Sequence, residues 1–123
     1  EWNTMVNVHM VVGSLVLLAF LVLTIVYLLG IGGRVVSWTR PLSFVAAGLL
    51  LLQYVLGFSL LGEGHEKTGW HYIIALIAVI PVGLEHMITP QQADPAKRSR
   101  AGALFAAITF IIVLIAYVIG ESS

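Results

Sequence analysis

Four long apolar stretches divide this chain, at residues 6–29, 42–61, 70–88 and 101–119, and short polar segments separate them. Each approaches the ~20 residues that a helix needs to cross ~30 Å of hydrocarbon. Runs of this length exclude strands, and lipid offers the backbone no hydrogen-bond partner, which leaves helix as the spanning form. The pattern predicts one all-α domain, residues 1–123, built from four transmembrane helices.

Punctuation between the runs is legible. Gly30, Gly32 and Gly33 end the first run, since repeated glycine terminates helices. Trp38 marks a membrane interface, and Pro41 opens the second run where a missing N–H costs nothing. Residues 62–69 form a glycine-rich loop, after which Trp70 and Tyr72 anchor the third run. Pro81 predicts a kink within it, because the ring clashes with the preceding turn and frees a carbonyl. Pro90 closes it, and residues 91–100 read as the longest polar connection. Short connections make sequential helices antiparallel neighbours, so the expected topology is an up-down-up-down bundle. Spans one and three are then diagonal, about 13 Å apart for neighbours at ~8–10 Å.

Composition changes the picture only by confirming its class. Hydrophobic residues make up 59% and charged residues 10%, with mean hydropathy +1.01, against roughly a quarter charged in soluble domains. The zero net charge hides a polarised distribution. Arg34, Arg40, Lys97, Arg98 and Arg100 flank one face, and Lys67 alone the other. By the positive-inside rule the first face is cytoplasmic and both termini are extracytoplasmic, here in a bacterial inner (plasma) membrane. Basic loops beside lipid headgroups account for these charges, and no nucleic acid is expected as a partner. The absence of cysteine excludes disulfides, iron–sulfur clusters, thiolate zinc sites and covalent haem attachment. Glu1-Trp2 rather than methionine opens the chain, which leaves room for a processed leader. The first run itself is too long, and lacks the basic flank, to be a signal peptide.

The candidate chemistry lies with histidine. His9 and His71 sit about one turn inside spans one and three, which start on the same side. Ionisable residues inside a membrane are costly, and each is by default a site with a partner to be named. Here each histidine is the other's candidate partner across a diagonal wide enough for a flat cofactor; otherwise each is an interfacial histidine bonded to a carbonyl or water near the headgroups. Gly13 follows His9 by four residues and Ala75 follows His71 by four, so small residues share the histidine faces. Such residues leave space for a porphyrin edge, and they are also what membrane helices use for close packing.

Two histidines at matched depth in a small helical bundle resemble the membrane b-type cytochromes, including the haem-carrying anchor subunits of respiratory dehydrogenases. That resemblance implies non-covalent haem b with His9 and His71 as axial ligands of the iron, and electron exchange with a quinone or a partner subunit. Asn3, Asn7, Lys67, Thr68 and Trp70 would then meet the propionates. The chain departs from two-haem members: His86 lies ~22 Å along the helix from His71, and no other span offers a histidine there.

Other polar residues carry two readings each. Glu85-His86 forms a possible secondary site, either a proton-relay or quinone-headgroup pair or a lone pigment ligand. Otherwise it is an interfacial pair in which Glu85 meets an arginine and His86 favours the helix end. Gln53 and Tyr54 fall in mid-span two, where a glutamine usually bonds a neighbouring helix. His65 could bind a metal with His71, or simply sit in a solvated loop. Span four, with Thr109 and Tyr117, is assigned to packing. The expected function is a non-catalytic electron-transfer subunit of a larger respiratory or photosynthetic complex. Beside it stand a cofactor-free accessory subunit and a (bacterio)chlorophyll-binding subunit. No nucleophile–base pair or phosphate loop supports hydrolase or kinase chemistry.

Overall fold

The computed structural model describes residues 2–62, 64 and 69–122, with side chains from residue 4 to residue 121. Every regular element among them is helical: α1 (Trp2–Ile31), α2 (Thr39–Gly62), α3 (Gly69–Ile77), α4 (Val79–Ile88), a short 3₁₀ turn (Thr89–Gln91) and α5 (Pro95–Ser122). Four helical segments are long and apolar enough to cross a membrane, with α3, α4 and the 3₁₀ turn forming one of them.

The ends follow local chemistry. At the end of α1, Gly33 takes φ 94° and Arg34 N–H reaches back 2.9 Å to Leu29 O. That is the six-to-one bond of a glycine-terminated helix. The polar connection expected at residues 91–100 is shorter than its composition suggests, because α5 starts at Pro95. Asp94 Oδ1 accepts from Ala96 N–H at 3.1 Å, an N-terminal cap, and proline occupies the first helical position, where its missing N–H is no loss.

The third span breaks at Ala78, between α3 and α4. Pro81 has no N–H to offer Ile77 O, so the ladder is interrupted one turn before the ring. Tyr54 of α2 packs beside the break. Its hydroxyl donates to Ala75 O at 2.5 Å, an inserted side chain of the kind that bends helices. The kink expected from Pro81 appears as the break at Ala78, and the Tyr54 hydroxyl holds a carbonyl of the turn just before it.

Helix α1 packs along α2 and α5, and α5 packs along α3 and α4, while the backbones of α2 and α3 stay farther apart. Paired contacts run in opposite numerical order. His9 meets Gly57 and Gly13 meets Gln53; Tyr27 meets Gly102 and Gly13 meets Tyr117; His71 meets Gly120. Ser43 meets Glu85 and Tyr54 meets Ala75. The core joins Val16, Phe20, Leu23 and Tyr27 of α1 to Ala46 and Leu50 of α2, and to Ala78, Val82, Ala103 and Ala106. Alanine and glycine at the contacts let backbones approach closely, the main source of helix association where lipid is as apolar as leucine. Large side chains such as Val11, Leu18 and Ile80 point outward, as lipid-facing positions do.

Candidate functional site

A cavity of about 330 Å³ opens among α1, α2, α3 and α5 at the end remote from the arginines. His9, Gly13, His71 and Ala75 all line it, so the two histidines and their small neighbours share one space. The walls are otherwise mainly apolar, with Gln53, Tyr54, Tyr72, Tyr117 and Glu121 supplying polar groups.

Each imidazole rests on a glycine. A Cβ at Gly57 would fall 3.3 Å from His9 Cε1, and one at Gly120 would fall 2.8 Å from His71 Cε1 and 2.9 Å from its Nδ1. The second spacing is closer than a real side chain tolerates, so Gly120 is what admits the His71 ring beside α5. His71 Nδ1 lies 2.8 Å from Ala116 O. A carbonyl can only accept, so Nδ1 carries the hydrogen and Nε2 of the neutral ring keeps its lone pair. Ligating histidines commonly commit one nitrogen in this way and turn the other to the metal.

Gly13 lines the cavity and also lets α2 and α5 approach α1: a Cβ there would fall 2.9 Å from Gln53 Nε2 and 3.3 Å from the Tyr117 ring. Gln53 Nε2 donates to His9 O at 2.7 Å, clamping α2 to the first turns of α1. Its Oε1 is buried and has no hydrogen-bond partner among the described residues. Replacing Gln53 with Leu should therefore cost only ~0.6–2 kcal/mol, the range for interhelical hydrogen bonds in lipid, as read by unfolding in mixed micelles. A loss well above that range would assign Gln53 more than a clamp.

Span four is more than packing material. Ala116, Tyr117 and Gly120 line the cavity, and Tyr117 Oη lies 3.3 Å from Ser14 Oγ. Periodicity alone could not single them out, because small residues are ordinary on every membrane helix. Of the residues expected near propionates, Lys67 and Thr68, and the Asn3 side chain, lie outside the described residues, as does His65.

Glu85 and His86 stand apart from this cavity. Glu85 is 1% exposed and meets no arginine among the described residues. Its Oε2 accepts from Tyr27 Oη and from Ser43 Oγ, both at 2.7 Å. His86 Nε2 lies 3.2 Å from Ser43 Oγ and 3.7 Å from Glu85 Oε1. Arg40 instead stacks over Phe44, 4.7 Å from its ring centroid, and Phe44 lies beside the His86 ring. Tyr27 and Ser43 are thus the partners that sequence reasoning missed, since nothing local marks a tyrosine 58 positions away as a carboxylate's donor.

Comparison with protein-family models, with curated proteins and with solved structures finds no match for this chain.

Proposed function

We propose that this protein is a membrane electron-transfer subunit that holds one non-covalent haem b between His9 and His71, within a larger respiratory or photosynthetic complex. The observation that carries the reading is that two histidines from different helices line one apolar cavity. His71 also keeps Nε2 open by giving its Nδ1 hydrogen to Ala116 O. The donor set suits haem iron, which takes neutral imidazole nitrogens, and Gly57 and Gly120 supply cradles that a Cβ would fill. The volume falls at the lower end of the ~300–1,000 Å³ range of small-molecule pockets. When bound, haem b supplies one-electron exchange tuned by its axial ligands and surroundings. The chain's own part is to hold two imidazoles at fixed orientation and to exclude water with Leu50, Phe58 and Val113. In this it resembles the small membrane b-type cytochromes.

The reading includes an up-down-up-down bundle, supported by the opposed order of the paired contacts. It also places both termini outside, supported by five basic residues at one end. Labelling tests this orientation. Ala93 and Gly62 are exposed, one at each end of the bundle, and suit single cysteine replacements. A membrane-impermeant thiol reagent should modify Gly62→Cys from outside intact cells and leave Ala93→Cys untouched; the opposite pattern inverts the topology.

A visible spectrum of the purified protein tests the cofactor. A sharp reduced α-band of haem b is expected. A far-red band would assign a chlorophyll instead, and a colourless protein would leave an accessory subunit.

A further inference from the structure

Glu85 is a buried titratable group for which the outer cavity has no use. We propose that it is a proton-exchanging carboxyl group, loaded from the basic end of the molecule through His86 and Ser43. This inference is independent of whether His9 and His71 hold a haem.

The hydrogen bonds have a direction. Ser43 has one hydroxyl hydrogen and gives it to Glu85 Oε2. Its 3.2 Å contact with His86 Nε2 is therefore one in which the ring N–H donates and Ser43 accepts. The result is an unbroken chain from His86 Nε2–H to Ser43 Oγ–H to Glu85 Oε2. A proton taken from water by His86 Nδ1 lets the Nε2 proton pass to Ser43 Oγ, while the Ser43 proton passes to Glu85. Serine and histidine both end neutral, the carboxylate becomes a carboxylic acid, and one proton has moved inward.

The other carboxylate oxygen argues against a purely structural role. Glu85 Oε1 is buried without a hydrogen bond among the described residues, and His86 Nε2, at 3.7 Å, lies beyond hydrogen-bond range. Most buried carboxylate oxygens are hydrogen-bonded, and an open buried lone pair adds desolvation cost.

The chain's entrance lies at the surface of the bundle, where His86 is 20% exposed. A pocket of about 500 Å³ at the basic end is lined by Tyr27, the other donor to Glu85, with Arg40, Thr89 and Arg98. The groups around Glu85 are Tyr27 from α1, Ser43 and the more distant Arg40 from α2, and His86 from α4. Helix α5 carries Lys97, Arg98 and Arg100 in its first turns, and none of them makes an ion pair with Glu85.

Infrared spectroscopy of the full chain in lipid nanodiscs tests this. The wild type should show the carbonyl band of a protonated carboxylic acid, shifting in D₂O. Glu85→Gln should remove it. Ser43→Ala and His86→Leu should retain the band and slow its isotope shift about tenfold, equivalent to ~1.4 kcal/mol of barrier. Absence of any such band, its survival in Glu85→Gln, or wild-type exchange rates in both relay variants would overturn the proposal. Should Glu85→Gln fail to assemble, Tyr27→Phe decides. It keeps the carboxyl and removes one donor, so it must move the band frequency, and an unmoved band again overturns the assignment.

Discussion

Replacing His71 with Ala is expected to remove all low-spin haem b signal from the purified protein, and His9→Ala should do the same. Both side chains line the cavity, and neither has a histidine substitute among its lining residues. Losing one imidazole leaves an iron with a single protein ligand, and a six-coordinate low-spin spectrum cannot form. A graded variant separates ligation from mere folding. Gly120→Val places a methyl-bearing carbon where the His71 ring lies, pushing the imidazole off its bond to Ala116 O. The affinity loss should be about 10–100-fold, the range for disturbing a ligand's outer partner. His86→Leu touches neither the cavity nor its cradle glycines, and should leave haem content unchanged. Haem titration of detergent-solubilised variants, with circular dichroism as a check on helix content, reads all four. If both alanine variants keep a bis-histidine signal, the ligands lie elsewhere. If only His86→Leu loses pigment, the basic-end pair is the true site.

Much of the fold lies on the surface of the sequence, because lipid imposes a length and a polarity that few other environments demand. The four apolar runs are helices long enough to span, and the Pro81 interruption falls where the lost hydrogen bond dictates. Helix ends are less legible. Residues 91–100 are polar enough to read as loop, yet Asp94 and Pro95 together form a start signal that outweighs polarity. The candidate site divides in the same way. His9 and His71 stand out because a membrane makes any histidine expensive. Gly57 and Gly120 do not, since glycine at a helix contact and glycine beneath a ligand look alike until the facing residue is known. The same holds for Glu85. Its cost inside a membrane is plain from sequence, whereas the identity of its donors depends on how α1 and α2 pack against α4, which periodicity does not encode.

That packing can be broken at one atom. Gly102 lies against Tyr27, and a Cβ there would fall inside the space of the tyrosine ring. Gly102→Val should therefore force α1 and α5 apart, or drive Tyr27 from its rotamer. Overpacking alone costs ~1–3 kcal/mol. Displacing Tyr27 also removes a donor from a carboxylate that is 1% exposed, worth a further ~1–3 kcal/mol. A combined loss of about 3 kcal/mol is expected, since relaxation absorbs part of each. Gly48→Val is the control, because it is exposed and has no atom within 4 Å of its Cβ position; it should be nearly neutral. Tyr27→Phe dissects the effect, keeping the ring and deleting only the hydroxyl. If Gly102→Val acts partly through the hydrogen bond, adding it to Tyr27→Phe should cost less than the sum of the two singles. Equilibrium unfolding in mixed micelles measures each variant. Equal stability of Gly102→Val and Gly48→Val would mean that α1 and α5 do not meet through this glycine, and the register of their contact would have to be redrawn.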